Sequence, residues 1–401
     1  MKISITKCYK LKGAYDTLTY LCDMRKIGIL GGGQLGRMLL QAAANYPVET
    51  YVLENDAECP AAHLCHHFTK GDITRYDDVY NFGKNLDALT IEIENVNIDA
   101  LEQLEKEGKR IFPKPQVLRI ICNKVRQKQY YADYNIPTSE FVVTQNLEEL
   151  RQHVHLLPAV HKLGQGGYDG RGVQIIENES DIEKGFDAES VLEKKVAIEK
   201  EIALMVAVAN DGKITMYPPV EMVFDDVLNL LSYQLCPAEL SQEVYFKAEA
   251  TALTTVKNFQ SAGLFAVEMF VTPSGDVLVN ETAPRVHNSG HHTIEAHYSS
   301  QFDMLWRIML DYPLGCTDAI MPSLMQNILG AEGHSGEAHY EGLEEMLKLE
   351  NAFFHIYGKK NTKPGRKMGH VTIISKEKAD LLHKANKIKH NLSVVAKTPH
   401  E

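Results

Sequence analysis

The sequence lacks the features that mark several large classes of protein. Its seven cysteines are scattered and form no Cys-x-x-Cys pair, so neither a disulfide framework nor a zinc site is indicated, and a reduced, cytoplasmic setting is favoured. No apolar run approaches the length needed to cross a membrane, and the first 23 residues lack the apolar centre of a signal peptide. Basic residues are in deficit, with 42 Lys and Arg against 53 Asp and Glu, which argues against nucleic acid as a partner. An anionic small molecule stays compatible with this charge, because a local cationic pocket can form on an acidic protein.

The composition is that of a soluble globular enzyme. The 401 residues are 44% hydrophobic and 24% charged, and this length suits two or three domains. The run Met24-Arg25-Lys26-Ile27-Gly28 resembles a natural start just before a first strand. We therefore expect residues 1–24 to be an extension with little functional role.

A predicted strand, a glycine turn and a predicted helix follow in an order typical of nucleotide-binding domains. Residues 26–30 are predicted to form a buried strand, Gly31 to Gly36 satisfy G-x-G-x-x-G, and Glu54 follows 18 residues after Gly36. The pattern resembles a dinucleotide-binding fingerprint. Taken alone, it indicates only backbone N–H groups that are offered to an anion, most simply a phosphate. A tight turn without a ligand is the alternative.

A second glycine-rich segment has a different character. Residues 164–172 contain five glycines, with Lys162 before them and Arg171 among them. Such a loop can close its backbone over phosphates while the two cations neutralise charge. It is not a P-loop, since no Gly-Lys-Ser or Gly-Lys-Thr follows. A plain flexible hairpin tip is the alternative.

Four glutamates stand at the ends of predicted strands. Glu92 and Glu94 close the strand at residues 86–93, where open parallel sheets bind ligands, but both are also compatible with solvated charges. Glu193 and Glu201 are eight residues apart across a short connection. They could bind a nucleoside or lie on the surface, and the residues alone do not decide between these.

Cations are concentrated in two places. A predicted helix carries Lys124, Arg126 and Lys128, and such a run is usually a solvated face. We expect one of the three to turn inward. Residues 357–370 combine many cations with a Pro-Gly turn, which indicates either an anion site or a solvated basic turn.

Residues 264–281 predict a β-hairpin. Two apolar, β-prone flanks surround a Pro-Ser-Gly-Asp turn. With the turn centred between Ser274 and Gly275, Thr272 faces Val277, Val271 faces Leu278 and Glu268 faces Glu281.

The two opposed glutamates indicate a metal ion. Like charges opposite one another destabilise a sheet, so Glu268 and Glu281 require a cation between them. Hard oxygen ligands with the neighbouring amide of Asn280 suit Mg²⁺ better than Zn²⁺. Two outward-facing surface glutamates are the alternative.

Histidines are concentrated after this hairpin. Arg285, His287, Asn288, His291 and His292 occur within eight residues, and the polar, Gly- and Pro-punctuated segment is predicted to be an active-site loop. Cysteines and histidines also recur over residues 59–67, but with no standard metal-site spacing, so we expect a partly exposed loop there.

Four strings carry a resemblance to a known family. They are Gly32–Met38 (GGQLGRM), Gly166–Gly172 (GGYDGRG), Ala283–His291 (APRVHNSGH) and Pro364–His370 (PGRKMGH). In this order they resemble the N5-carboxyaminoimidazole ribonucleotide synthetases, a family of ATP-grasp carboxylate–amine ligases. The similarity covers about residues 25–390.

The resemblance implies a chain of α/β and α+β class with an ATP-grasp fold. Its implied parts are an N-terminal Rossmann-like (pre-ATP-grasp) domain over residues 25–122, a two-lobed ATP-grasp domain over 123–310 and a small C-terminal α+β domain over 311–401. The small lobe would reach to about residue 192 and the large lobe would begin at about 193.

The resemblance also implies roles for particular residues. Those that would bind ATP are Lys124, Lys162, Gly166, Gly167, Tyr168, Asp169, Gly170, Arg171, Gly172, Glu193, Lys194, Lys195, Val196, Glu201, Asn280 and Glu281. Those that would bind the ribonucleotide are Gln34, Leu35, Glu92, Tyr168, Asn288, Lys359, Arg366 and Lys367. Glu268 and Glu281 would hold Mg²⁺. Arg285 and His287 would face a carboxyphosphate, and Asp169 would accept the amine proton.

The implied reaction is the ATP- and bicarbonate-dependent carboxylation of 5-aminoimidazole ribonucleotide in purine (IMP) biosynthesis. The implied enzyme is a homodimer that passes its product to a separate mutase. Glu193 would contact adenine and Glu201 the ribose hydroxyls. The sequence departs from the family where Lys124 and Lys363 replace arginines, and where Glu221–Leu228 lacks a His and a Gly.

Other functions stay open at this point. A formate-dependent glycinamide ribonucleotide transformylase is the nearest alternative, and a biotin carboxylase would need a larger chain. From other classes, the first glycine turn is compatible with a nicotinamide-dependent dehydrogenase, and a nucleotide-binding module without catalysis is also possible.

Overall fold

The computed structural model of the chain describes residues 24–166, 172–224 and 231–397. Residues 1–23 of the expected extension lie outside these ranges. So do Gly167, Tyr168, Asp169, Gly170 and Arg171 of the second glycine-rich segment, and the second half of the Glu221–Leu228 stretch.

The N-terminal part is a parallel sheet with helices between its strands. Its order is β3-β2-β1-β4-β5, with every pair parallel. Four successive residues are buried along both β1 and β4, as expected for central strands covered on two faces. The strands are β1 (Arg25–Leu30), β2 (Val48–Glu54), β3 (His67–Lys70), β4 (Ala88–Ile91) and β5 (Arg110–Phe112). The helices are α1 (Gln34–Ala43), α2 (Tyr76–Gly83), α3 (Ile98–Lys106) and α4 (Pro115–Ile121).

The strand order of this sheet fixes where a ligand can bind. The chain runs outward from β1 through β2 to β3, and then returns to the other side of β1 with β4. The crevice beyond the carboxyl ends of β1 and β4 is therefore the topological switch point, where open α/β sheets bind ligands. The first glycine turn follows β1 and Glu92 follows β4, so both lie at this crevice.

A four-stranded antiparallel sheet follows, in the order β6-β9-β7-β8. The second glycine-rich segment connects β7 to β8, which pair directly. The elements are α5 (Lys124–Asp133), β6 (Phe141–Thr144), α6 (Leu147–Gln152), β7 (Ala159–Leu163), β8 (Val173–Ile176) and β9 (Ser190–Lys194), with 3₁₀ turns at Val154–Leu156 and Glu179–Lys184.

A nine-stranded antiparallel sheet is the largest unit of the described chain. Its order is β15-β14-β10-β12-β13-β16-β20-β18, with β11 beside β10. The strands are β10 (Lys200–Val208), β11 (Ile214–Met216), β12 (Val220–Phe224), β13 (Leu231–Cys236), β14 (Gly263–Val271), β15 (Val277–Ala283), β16 (Ser323–Leu329), β18 (Ala352–Ile356) and β20 (Lys367–Ile374). The helices of this region are α7 (Gln242–Lys257), α8 (Thr293–Ala296) and α9 (Gln301–Met309), with a 3₁₀ turn at Asn288–Gly290.

The C-terminal residues extend this sheet. β16 pairs with β13, so the last part of the chain continues the sheet that carries the predicted hairpin. A smaller sheet of order β19-β17-β21 lies beyond it. The remaining elements are β17 (Gly336–Glu341), α10 (Leu343–Met346), β19 (Asn361–Thr362), α11 (Lys378–Asn391) and β21 (Ser393–Ala396).

Helix α9 joins the first domain to the large sheet. Its Trp306 is fully buried, and the indole N–H donates to the carbonyl oxygen of Leu39 on α1 at 2.7 Å. Side chains of α1, α9 and β14 belong to one apolar cluster. The switch point is thus held at a fixed position relative to the hairpin.

The longest helix in the described ranges, α7, has 16 residues. No described helix combines the length and the apolar character that crossing a membrane requires.

Candidate active site

The hairpin of β14 and β15 places the two predicted metal ligands directly opposite one another. Glu268 pairs with Glu281, and the next pair along the strands is Met269 with Val279. Asn280 is therefore the extra residue of a β-bulge, with no residue opposite it. Bulges recur beside active sites because they redirect a side chain, and here the redirected side chain is the amide next to Glu281.

Closer to the turn, the predicted register is wrong by one residue. Val271 lies opposite Val277, not Leu278, and Thr272 belongs to the turn itself. Gly275 adopts a φ of +78°, which closes a three-residue loop. This loop is one residue shorter than the four-residue turn that was predicted, which shifts the strand pairing by one residue. The bulge at Asn280 shifts the pairing back, so that Glu268 faces Glu281 as predicted.

The carboxylate pair carries unequal charge. The Lys124 ammonium lies 2.9 Å from Glu281 Oε2 and, although burial acts in the opposite direction, lowers the pKa of Glu281 well below its usual range. Burial, and then the facing Glu281 carboxylate, raise the pKa of Glu268. The pair therefore retains a proton more readily than two isolated glutamates, until a cation relieves the repulsion.

His287 does not supply that cation. Its Nε2 lies 3.7 Å from Glu268, but burial, with the nearby Arg285 and Lys367, lowers its pKa to about 3. The ring is thus neutral at physiological pH. Two opposed carboxylates, an amide in the bulge and no charged histidine together form a donor set that fits Mg²⁺.

Lys162 connects this pair to a buried ionic cluster. Its Nζ donates to Asn280 Oδ1 at 3.0 Å and lies 3.0 Å from Glu193 Oε1. The other oxygen of Glu193 lies 2.8 Å from the Nζ of Lys128 and accepts from Ser139 at 2.6 Å. Both oxygens of Glu193 are engaged, and only 4% of the residue is exposed. In this structure its carboxylate therefore orients two lysines.

Two of the three cations on α5 turn inward, where one was expected. Lys124 and Lys128 are one helical turn apart and share a face, whereas Arg126 is exposed. Burial lowers the pKa of Lys128 to about 8, against the opposing effect of Glu193. The four-residue spacing of the two lysines was the signal that could have identified Lys128.

The predicted nucleotide residues beyond Glu193 lie around the same sheet. Lys194 and Lys195 are exposed and Val196 is half-buried. Glu201 lies on β10, two residues before Ala203, which pairs with Glu268. Because alternate strand residues share a face, Glu201 and Glu268 point to the same side. Burial raises the pKa of Glu201.

The first glycine turn is occupied by the chain's own carboxylates. Glu92 accepts from the Gly33 N–H at 2.9 Å and from the Gly36 N–H at 3.0 Å, and Glu54 accepts from the Gly32 N–H at 3.0 Å. The expectation of a phosphate at these N–H groups is therefore wrong. Burial raises the pKa of Glu92, which the two N–H donors oppose. The same contacts remove the basis of the dehydrogenase alternative.

Two residues that were expected at the ribonucleotide differ in exposure. Leu35 is only 8% exposed and packs in the apolar core. Gln34, the first residue of α1, is half-buried.

The structure describes both ends of the second glycine-rich segment. The carbonyl of Gly164 accepts from the Lys124 N–H at 2.8 Å, and that of Gly172 accepts from the Leu163 N–H at 2.9 Å. The segment therefore begins and ends next to Lys124 and Lys162. Gly166 and Gly172 each adopt a φ of +81°.

The loop after β15 lies between the first domain and the carboxylate pair. Arg285 is mostly buried, and its guanidinium lies 2.8 Å from the carboxylate of Glu94. Gln301 fixes the next turn by accepting from the His287 N–H and donating to its carbonyl, both at 2.8 Å. Asn288 opens the 3₁₀ turn that follows. Gln301 was not identified from the sequence, because an isolated glutamine on an apolar helix gives no signal.

The C-terminal basic turn approaches the same place. Lys359 donates to the carbonyl of Lys367 at 2.7 Å, and Arg366 donates to that of Asn361 at 2.7 Å. The Lys367 ammonium acts electrostatically on both Glu268 and His287. The structure thus brings residues from all parts of the described chain to one end of the hairpin.

Known proteins share this arrangement. Three family models match the chain in succession: a ribonucleotide synthetase preATP-grasp domain over residues 24–122, an ATP-grasp domain over 129–302 and a phosphoribosylaminoimidazole carboxylase C-terminal domain over 323–384. The crystal structure of N5-carboxyaminoimidazole ribonucleotide synthetase from Thermotoga maritima has a TM-score of 0.86 and 37% identity, covering 93% of this chain and 100% of that one. The fold class predicted from the sequence is confirmed.

Two further relatives bear on the ligands and on the length. The N5-carboxyaminoimidazole synthase of Aspergillus clavatus, solved with ADP and 5-aminoimidazole ribonucleotide, has a TM-score of 0.83 and 31% identity, covering 92% of this chain and 98% of that one. The chloroplastic phosphoribosylaminoimidazole carboxylase of Vigna aconitifolia is 35% identical over 360 residues, which are 87% of this chain and 64% of the relative. The chain therefore spans somewhat less than two thirds of that longer protein.

Proposed function

Because the chain belongs to the N5-carboxyaminoimidazole ribonucleotide synthetase family of ATP-grasp ligases, we propose that it carboxylates 5-aminoimidazole ribonucleotide with ATP and bicarbonate. The products are N5-carboxyaminoimidazole ribonucleotide, ADP and phosphate. The observation that carries the proposal is the opposed Glu268–Glu281 pair, with Lys124, Lys162 and Asn280 in contact around it.

The ATP phosphates bind beside Lys124 and Lys162. Lys124 and Lys162 present ammonium groups next to the carboxylate pair, and the glycine-rich segment 164–172 begins and ends beside them. Charge-assisted hydrogen bonds to phosphate oxygens are stronger than neutral ones, which favours an anion there. The backbone of residues 194–196 contacts the adenine, since the Glu193 carboxylate is already engaged. Glu201 accepts from the ribose hydroxyls.

Glu268, Glu281 and Asn280 would hold Mg²⁺. The ion supplies charge neutralisation for the phosphates when it is bound. The protein contributes the rigid spacing of the two carboxylates across the hairpin, and Lys124 keeps one of them ionised.

The ribonucleotide lies on the side of the first domain and the basic turn. Lys359, Arg366 and Lys367 bind its phosphate, with Gln34 on the other side. Arg285, His287 and Asn288 line the loop between this substrate and the carboxylate pair. Glu92 supports the glycine turn through its hydrogen bonds to Gly33 and Gly36.

The chemistry consists of two transfers. A bicarbonate oxygen attacks the γ-phosphorus, which breaks the bond to ADP and forms carboxyphosphate. The exocyclic amine of the ribonucleotide then bonds to the activated carboxyl carbon, or to carbon dioxide released from it, as phosphate leaves and the amine loses a proton. The chain accelerates both transfers by positioning and by fixed charge. Arg285 stabilises the charge of the intermediate, and neutral His287 offers it a hydrogen bond.

Three assignments extend this proposal beyond the described residues and contacts. Asp169 is the proposed acceptor of the amine proton, and closure of residues 166–172 is proposed to exclude water that would hydrolyse the intermediate. A cytoplasmic homodimer that passes its product to a mutase is proposed with them.

The proposal is tested by measuring ADP release with different pairs of substrates. ADP should form with Mg²⁺ and ATP when both 5-aminoimidazole ribonucleotide and bicarbonate are present, and Glu281→Gln should remove it. Glu183→Gln, at a surface glutamate paired with Arg151, is the matched control and should keep the rate. Stimulation by formate and glycinamide ribonucleotide would instead favour the sister ligase.

A further inference from the structure

A second group of metal-ligating side chains lies away from the carboxylate pair. Cys236 ends β13, His292 precedes α8 and His297 follows it. One donor atom of each lies within 4.8 Å of the other two. All three residues are buried, with 3%, 1% and 3% of their surface exposed.

Three buried polar atoms at this cluster have no hydrogen-bond partner among the described residues. They are His292 Nε2, His297 Nδ1 and Gln234 Oε1. Each buried polar atom without a partner lowers the stability of the folded protein by about 1–3 kcal/mol. Several such atoms close together therefore indicate a missing ligand. Gln234 Nε2 lies 3.0 Å from His292 Nδ1. The other ring nitrogen of His292, Nε2, is therefore directed away from the Gln234 amide.

The donor types select the metal. One thiolate and two imidazoles suit Zn²⁺ and do not suit Mg²⁺ or Ca²⁺, which prefer oxygen. His297 Nε2 lies 3.9 Å from Cys236 Sγ. Tetrahedral zinc, with bonds of about 2.3 Å to sulfur and about 2.0 Å to nitrogen, places these atoms about 3.5 Å apart. A small contraction of the cluster therefore gives the required spacing.

We propose that Cys236, His292 and His297 bind a zinc ion. The sulfur, His292 Nε2 and His297 Nε2 are the three protein ligands, and water takes the fourth position. Binding through Nε2 places the ring proton of His292 on Nδ1. The Gln234 amide then turns so that Oε1 accepts this proton, and it gives up its 2.7 Å hydrogen bond to the Ser289 carbonyl in exchange.

Without a metal, burial keeps these three side chains uncharged. Burial lowers the pKa of His292 and brings that of His297 to about 4, so both rings keep the lone pair that a metal needs. Burial raises the pKa of Cys236 to about 12. The thiol proton is therefore released to solvent as the Zn–S bond forms.

The ion would have a structural role. It joins the end of β13 to both ends of α8, and α8 directly follows the loop that carries Arg285 and His287. The zinc site thus holds the C-terminal end of that loop in place, without contacting the reacting groups. The cysteine and histidines lie far apart in sequence, which is why no zinc spacing was visible there.

Cobalt substitution in the full chain tests the proposal. After chelator treatment, titration with Co²⁺ alone should give, at one equivalent, a near-ultraviolet thiolate-to-cobalt band that Zn²⁺ abolishes. Cys236→Ser should remove the band, and His297→Asn should weaken Co²⁺ binding on the order of a hundredfold. Bound Co²⁺ should also raise the melting temperature of the wild-type protein.

Two controls separate this site from others. Cys59→Ser alters another buried cysteine, and Glu281→Gln alters the carboxylate pair, whose oxygen donors give no thiolate band; both should keep it. Absence of the band in the wild-type protein, or its persistence in Cys236→Ser, would overturn the proposal. If Cys236→Ser does not fold, unchanged Co²⁺ affinity in folded His297→Asn would overturn it equally.

Discussion

The Glu193 carboxylate is held between two ammonium groups with almost no solvent around it. Burial alone would raise its pKa, but Lys162 and Lys128 outweigh that effect and hold the pKa at about 2. Removing one member of such a cluster leaves the others buried and uncompensated. Glu193 therefore determines where Lys162 points and, through Lys162, supports the Asn280 amide beside the carboxylate pair.

Replacing this carboxylate should destabilise the protein strongly. We expect Glu193→Gln to lower the free energy of unfolding by about 3–5 kcal/mol, because Lys128 then stays buried without a counter-charge. Urea denaturation measures the change. Glu140→Gln, whose carboxylate pairs with Lys194 at the surface, is the control and should change stability by less than about 0.5 kcal/mol. Equal effects of the two substitutions would contradict the assignment.

The raised pKa of Glu268 predicts a pH dependence with a definite sign. A carboxyl whose folded pKa exceeds its unfolded value stabilises the protein at low pH, and that stability is lost as pH rises through the folded pKa. Without metal, the wild-type protein should therefore lose stability with rising pH more steeply than Glu268→Gln. Mg²⁺ should remove this loss in the wild-type protein alone. Melting temperatures measured from acid to mildly alkaline pH, with and without Mg²⁺, compare them; parallel curves would contradict the account.

At the scale of elements, the sequence predicted the hairpin but not its irregularities. Apolar flanks and turn residues identify two strands. The predicted pairing of Glu268 with Glu281 is right because the turn and the bulge shift the register in opposite directions. Neither the length of the turn nor the bulge is encoded in periodicity, because both depend on how the strands fit the sheet. Lys128 was missed for a related reason, since burial of its charge depends on Glu193 from β9 and Ser139 from the segment before β6.

Helix packing gives a separate prediction at this scale. The Trp306 indole N–H donates to the Leu39 carbonyl across the α1–α9 contact. Trp306→Phe removes this buried hydrogen bond and part of the packed ring, so stability should fall by about 1–3 kcal/mol in chemical denaturation. Phe246→Leu, at a side chain that is 57% exposed, should change stability by less than about 0.5 kcal/mol. A Trp306→Phe variant as stable as the wild type would show that the contact is unimportant.

At the scale of the whole molecule, the candidate site depends on contacts between parts that are distant in sequence. Glu94, beyond β4, pairs with Arg285 of the loop after β15. Asp311 pairs with Arg25 and Arg110 of the first domain. The fold class was predictable because its strings occur in order along the chain. These pairings were not, because single charged residues do not reveal their partners.

The contact between Glu94 and Arg285 should matter for catalysis more than for stability. Glu94→Gln removes the charge that orients the guanidinium, and misplacement of a positioned group costs up to about a hundredfold in rate. We expect kcat/KM for the ribonucleotide to fall by about tenfold to a hundredfold in steady-state ADP formation. Glu102→Gln, which breaks the comparable pair with Arg119 outside the site, should leave kcat/KM unchanged. Equal kinetics in the two variants would contradict the role given to Arg285.

The most direct test of the central claim is the fate of the bicarbonate carbon. With ¹³C-bicarbonate, ATP, Mg²⁺ and 5-aminoimidazole ribonucleotide at mildly alkaline pH, ¹³C NMR should show a carbamate carbon that forms in step with ADP. Glu268→Gln and Glu281→Gln should abolish both signals together. Formation of ADP without a labelled carbamate, or a carbamate that persists in both variants, would contradict the account.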